Sequence, residues 1–134
     1  MQTKVHSAGK GRAGEKYAAQ ALEQAGMHIL ASNFHSPVGE VDLIARDRDT
    51  IVFVEVKTWN SRRIADLEYG ISREKQRRII ETAKYFLAVY RKYNEMAIRF
   101  DVVFIEGVPP SPAETAVPAG PQIRHLVSAF MECI

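Results

Sequence analysis

Apolar positions along the chain alternate between a helical period and a period of two, and the changes of period divide it into elements. Tyr17, Ala18, Ala21, Leu22 and Ala25 recur at helical spacing, which predicts an amphipathic helix over 13–25 stopped by Gly26. Met27 to Asn33 reads as a short strand, and Ser36-Pro37 turns the chain into a second strand, Gly39 to Arg46. After a turn at Asp47-Arg48-Asp49, Thr50 to Thr58 is the strongest strand pattern of the chain. Residues 59–70 read as an irregular basic loop. Ser72 can cap a long helix reaching about Tyr93, with an apolar stripe of Ile79, Ile80, Ala83, Phe86, Leu87 and Tyr90. Ile98 to Glu106 predicts another strand, and 123–134 an edge strand followed by a helical turn.

Three consecutive strands joined by short turns predict an antiparallel meander. The long helix that follows predicts a crossover to a parallel neighbour. The expected fold class is therefore α/β, with a mixed central sheet flanked by helices. One domain accommodates everything: a flexible basic arm over 1–12, the core over 13–106, a proline-rich mobile loop over 107–121, and a C-terminal strand and turn over 122–134 that completes the same domain.

Charged side chains interrupt the two most apolar strands. Glu40 and Asp42 alternate along the second, Glu55 and Lys57 along the third, so each pair shares a face of its own strand. A two-residue turn at Arg48-Asp49 would set Asp42 opposite Glu55 and Glu40 opposite Lys57, bringing all four to one side. A loop of odd length would scatter them, because a one-residue slip reverses a strand's faces. Arg-Asp is not an ideal hairpin pair, so a longer even loop also satisfies the parity. Glu15 extends the inward stripe of the first helix and Gln76 that of the second.

Asp42 and Glu55 would supply hard oxygen ligands for Mg2+ or Mn2+, with water and a phosphate oxygen completing the shell. Such an ion polarises a phosphoryl oxygen and acidifies its bound water. Lys57 could orient that water, stabilise charge on the phosphate or, desolvated, act as a base. Glu15 could add a contact or a ligand, and Gln76 could hold the water or Lys57. The competing reading makes Glu55 and Lys57 protective charges on a half-exposed edge strand.

Composition narrows the partners. With 46% hydrophobic and 25% charged residues the chain reads as a globular protein, and no apolar run approaches the roughly 20 residues of a membrane span. The start is polar and basic, without the apolar core of a secretory signal, and the single Cys133 fits a reducing cytoplasm. Net charge is only +2, but Arg62, Arg63, Arg73, Lys75, Arg77 and Arg78 cluster after the Glu-x-Lys run, while Lys4, Lys10, Arg12 and Lys16 cluster at the front. A basic rim around an acidic centre suits a nucleic-acid backbone, with Arg12, Arg62, Arg63, Arg73, Lys75 and Arg77 as the expected contacts. A solvated helix face explains the same charges.

Gly14-Glu15, the Asn33 region, Gly39-Glu40-Val41-Asp42-Leu43-Ile44, Val52-Phe53-Val54-Glu55-Val56-Lys57, Lys75-Gln76, Arg99-Phe100-Asp101-Val102-Val103 and Arg124-His125-Leu126-Val127 together resemble the bacterial YraN-like family of predicted endonucleases. The resemblance spans nearly the whole chain. It implies a restriction-endonuclease-like fold, similar to archaeal Holliday-junction resolvases, and a site of Glu15, Asp42, Glu55, Lys57 and Gln76. It further implies magnesium-dependent hydrolysis of DNA, branched DNA included; action on a symmetric junction would require a homodimer. The alternative from another class is a nucleic-acid-binding module that keeps the fold without cleavage.

One position departs from the family pattern: an arginine usually follows Glu-Val-Lys-Thr, and here Trp59 stands instead. An indole there can pack on the sheet or stack on a base, and Arg62 and Arg63 can supply the missing charge. Other patterns carry no chemistry. Gly9-Lys10-Gly11-Arg12-Ala13-Gly14 fits a dinucleotide fingerprint in letters only, since no strand precedes it. His6, His28, His35 and His125 stand at no ligand spacing. Asp101 beside Arg99 predicts a structural ion pair, and Tyr85, Phe86 and Tyr90 predict ordinary helix packing.

Overall fold

A computed structural model describes residues 8–59, 71–106 and 122–131. Its elements are α1 (Ala8–Gln24), β1 (His28–Ser36), β2 (Gly39–Asp47), β3 (Thr50–Trp59), α2 (Arg73–Val89), a 3-10 turn (Arg91–Tyr93), β4 (Ala97–Glu106) and β5 (Gln122–Phe130). The strands form one sheet in the order β1-β2-β3-β4-β5. All neighbours are antiparallel except β3 and β4, which run parallel on either side of the α2 crossover. This is the mixed α/β sheet flanked by helices that the periodicity predicts, with the architecture of the restriction-endonuclease-like fold.

The two helices cover opposite faces. Ala18 and Leu22 of α1 bury against Leu43, Ala45, Val52, Val54, Val103 and Ile105. Ile79, Ile80, Ala83 and Phe86 of α2 bury against Val41, Ile44, Ile51, Phe53 and Phe100. β3 contributes to both clusters, which is why its run of β-branched and aromatic residues is almost uninterrupted. The charged residues at its far end are therefore next to two cores at once.

Three element boundaries differ from the periodicity by three residues or more, and one is the end of β1, which runs on to Ser36 rather than stopping at Asn33. α1 begins at Ala8 rather than at 13, so Gly9–Arg12 continue the helix instead of belonging to an arm. Two glycines in four residues weaken helical propensity there, which hides the start. α2 ends at Val89, where Tyr90 leaves helical geometry (φ −106°, ψ 76°) and a 3-10 turn carries the chain to Tyr93. Ser72 does cap α2, its hydroxyl accepting from Lys75 N at 3.1 Å. Gly26, at φ 99°, takes the left-handed conformation that ends α1. The expected arm over 1–7, Arg62 and Arg63, the proline-rich loop and the final helical turn at 132–134 lie outside the described residues.

Candidate active site

Register settles the first question of geometry. Asp47 pairs with Thr50 across a two-residue turn at Arg48-Asp49, and the ladder continues to Leu43 opposite Val54. Arg48 takes φ 60°, and its carbonyl accepts from Arg46 Nε at 2.7 Å, which holds a dipeptide that is a poor hairpin former. Beyond Leu43 and Val54 the regular ladder stops. At that point the Asp42 side chain substitutes for main chain: its Oδ2 accepts from Val56 N at 2.8 Å. Asp42 is thus held in the seam between β2 and β3.

A second irregularity serves the same place. Leu43 packs on the α1 side and Ile44 on the α2 side, yet Val41 also packs on the α2 side. Its partner Phe34 does so too, although Ser32 stands opposite Leu43. Face alternation therefore slips in both strands between these pairs, and Asn33 between them has φ 52°. Asparagine is among the few residues that adopt this conformation readily. From there Asn33 Nδ2 donates to Glu15 Oε1 at 2.9 Å, tying α1 to the seam.

Gly14 explains how α1 comes so close. A Cβ at Gly14 would stand 2.9 Å from Thr58 Oγ1 and 3.8 Å from Val56 Cγ1, so glycine lets the helix lie against the end of β3 without displacing Thr58. The next residue, Glu15, then comes within hydrogen-bonding reach of Asp42. Asp42 in turn reaches Glu55. Three carboxylates stand in a row, from α1 through the seam to the α2 side of β3.

Their electrostatics follow from that crowding. Burial first, then the nearby Asp42 charge, pushes Glu55 up to about 7. Burial likewise pushes Asp42 up to about 6, with Glu15 adding to the rise and the Val56 amide opposing it. Glu15 is raised, mainly by burial, with its hydrogen bonds to Asn33 and Asp42 acting the other way. Near neutral pH the row holds protons that free carboxylates would have released.

The predicted residues divide accordingly. Asp42, Glu55 and Glu15 are brought together. Lys57 is half-buried two residues beyond Glu55, and no hydrogen bond or ion pair links its side chain to another described residue. Gln76 is tied to the entry of α2, where its Nε2 donates to the Ile71 carbonyl at 3.1 Å. The cation on Glu55 is Lys75, with Nζ 2.7 Å from Oε2. Burial would lower the Lys75 pKa, but Glu55, Asp42 and Glu40 together raise it. Position along the strand singles out Lys57; only the start of α2, three residues after its cap, brings Lys75 to the carboxylates.

Of the expected nucleic-acid contacts, Arg73 and Arg77 are exposed on the first turns of α2 and Arg12 falls on α1. Arg78 pairs with Glu74 at 3.0 Å. Glu40 pairs with His35 at 3.2 Å rather than facing Lys57. Asn33 and Lys75 are the two partners of the carboxylates to which residue type and spacing along the strands assign no role there.

Asp42 and Glu55 present two hard oxygen donors side by side, which fits Mg2+, an ion commonly held by one or two carboxylates with water and phosphate. Among the described residues no three His, Cys, Asp or Glu side chains form a ready-made cage. A second acidic cluster has another character. Asp101 is fully buried and accepts from Arg99 Nε at 3.1 Å and Ser128 N at 2.9 Å, with His125 Nε2 at 2.7 Å. Arg99 also reaches Asp47 at 3.1 Å, so the group ties β2, β4 and β5 together as a structural network. The aromatic residues of α2 pack as the helical spacing predicts: Phe86 meets Phe34, Phe53 and Tyr90.

No helix is long and apolar enough to cross a membrane among the described residues. The model of the uncharacterised protein family UPF0102 matches residues 14–105, which include every carboxylate of the row and all of α2. A UPF0102 protein of Treponema pallidum (strain Nichols) is 48% identical over 99 residues, covering 74% of this chain and 79% of its own. One from Treponema denticola is 40% identical over 132 residues, covering 92% and 95%. One from Syntrophus aciditrophicus is 43% identical over 122 residues, covering 90% and 87%. On these matches, together with the fold, the chain belongs to the UPF0102 family, the YraN-like proteins that its motifs resemble.

Proposed function

We propose that the chain is a divalent-metal-dependent endonuclease that hydrolyses phosphodiester bonds of DNA, branched DNA included. The observation that carries this reading is the half-buried Asp42 beside buried Glu55 at the end of the β2–β3 ladder, with Glu15 alongside. Asp42 and Glu55 would hold Mg2+ or Mn2+, which supplies polarisation of the phosphoryl oxygen and a more acidic water. In the reaction, water oxygen bonds to phosphorus, the bond to the leaving oxygen breaks, and one proton passes from water to the protein and another to the leaving oxygen. Glu15, beside the two ligands and with its proton affinity raised by burial, is suited to accept the first proton. Lys57, on the same face as Glu55, is positioned along the strand to meet phosphate charge. The exposed Arg73 and Arg77 would hold the neighbouring backbone.

A second reading keeps DNA binding without cleavage, and the Lys75–Glu55 ion pair favours it, because it already neutralises one expected ligand. Linear, flapped and four-way DNA incubated with Mg2+ or Mn2+ separates the two. Cleavage should fall at least about a hundredfold in Asp42→Asn and Lys57→Ala. Equal cleavage by all three proteins would point to a contaminant and remove the enzyme. Binding that is intact in all three, with no cleavage by any, would establish the second reading.

A further inference from the structure

Lys75 and Glu55 form an asymmetric pair. The glutamate is 5% exposed and the lysine 42%, so a buried anion is covered by a cation that still faces solvent. Lysine carries its charge on a flexible stem, and Lys75 is placed near the helix start rather than locked in the core. Immediately outside, a cavity of about 400 Å³ lies between the β1–β2 hairpin and α2, lined by His35, Gly39, Glu40, Lys75 and Arg78. The ammonium therefore has two environments within reach of one stem.

We infer that Lys75 is the resident counter-ion of the carboxylate row, displaced from Glu55 by a divalent cation and then turned into the adjoining cavity to meet a phosphate of the nucleic acid. This rests on the reading of Asp42 and Glu55 as a metal site. A divalent ion on Glu55 would repel the ammonium now 2.7 Å away, and the metal brings more charge to the same two oxygens. In the cavity Lys75 joins Arg78, while Glu40 faces His35 there at 3.2 Å. A bound phosphate would balance the lysine released from Glu55. Metal and nucleic acid thereby favour each other's binding, and by linkage the effect is reciprocal.

Calorimetric titration of Mn2+ into wild type, Lys75→Gln and Lys75→Arg tests the exchange, alongside anisotropy of a short duplex DNA with Ca2+ present to read binding apart from turnover. Without its competitor, Lys75→Gln should bind Mn2+ roughly tenfold more tightly. The same variant should bind the duplex several-fold more weakly, through loss of about one phosphate contact. Lys75→Arg keeps the charge and should stay near wild type in Mn2+ affinity. Opposite shifts in metal and DNA affinity are the signature, since a purely structural lysine would move both together or neither. Unchanged or weaker Mn2+ binding in a folded Lys75→Gln overturns the inference and leaves the metal site standing. No Mn2+ binding by any of the three removes the metal-site reading, and this inference with it.

Discussion

At the scale of single residues, the site is made of carboxylates kept from ionising freely. The sign of their effect on stability follows from where their protons are held. Glu55 and Asp42, at about 7 and about 6 in the folded chain, start from ordinary values of 4.5 and 3.8. The folded protein thus binds more protons than the unfolded chain between those limits. The stability associated with these protons is complete below about pH 4 and is lost as pH rises through about 6 to 7. Asp42→Asn keeps an acceptor for Val56 N and removes the like charge. Urea unfolding should find it more stable than wild type by about 1–2 kcal/mol at pH 8, with the gap narrowing towards pH 5. A gap that does not change with pH would contradict the shared-proton row. Asp101 behaves in the opposite sense. Burial would raise it, but His125, Arg99 and the Ser128 amide outweigh burial and lower it. Its contribution is present above the ordinary carboxylate range and lost as pH falls below that range. Asp101→Asn should cost about 3 kcal/mol near neutrality, because Arg99 and His125 lose a buried anion; a cost under about 0.5 kcal/mol in the same assay would show the network to be dispensable. The residue types of both clusters are legible in the sequence. Their environments are not, since burial and partners come from segments far away in the chain.

At the scale of elements, two devices bring α1 and the β2–β3 seam together: a glycine and an asparagine. Gly14→Ala would drive a methyl into Thr58 Oγ1 at 2.9 Å, so either the threonine rotates or α1 lifts from β3. Unfolding should show a loss of about 1–3 kcal/mol. Thr58→Ala should recover most of that loss in the double variant, and a cycle with no coupling would mean that α1 is held elsewhere. The helix stripes, the hairpin and the capped start of α2 are readable from spacing because each is a local pattern. The slip of face alternation at Asn33 is not readable. Strict alternation predicts Asp42 squarely opposite Glu55 in a continuing ladder, whereas the strands part after Leu43 and Val54 and the carboxylate takes an amide of the opposite strand. A left-handed residue inside a strand leaves no mark in an apolar–polar pattern.

At the scale of the whole molecule, a sheet with one helix on each face places the row where α1, the β2–β3 seam and the start of α2 meet. If Asp42 and Glu55 hold Mn2+, ligand linkage should add up to about 2.7 kcal/mol of stability at a hundredfold excess over Kd. That corresponds to a rise in Tm of several degrees for a domain of this size, lost in Asp42→Asn. A thermal shift of equal size in the variant would place the ion elsewhere. The sequence by itself determined the element order, the apolar character of β3 and the identity of the acidic residues, because each is fixed by local spacing and by the aversion of charge to apolar runs. Tertiary structure decided which cation meets which anion. Lys57 adjoins Glu55 along the strand, yet Lys75 holds it, because packing of the α2 stripe sets the angle at which the first turn of that helix overlooks the sheet. It also decided that Asn33 anchors Glu15, since that contact joins α1 to β1 across a turn and exists only once both lie on the sheet.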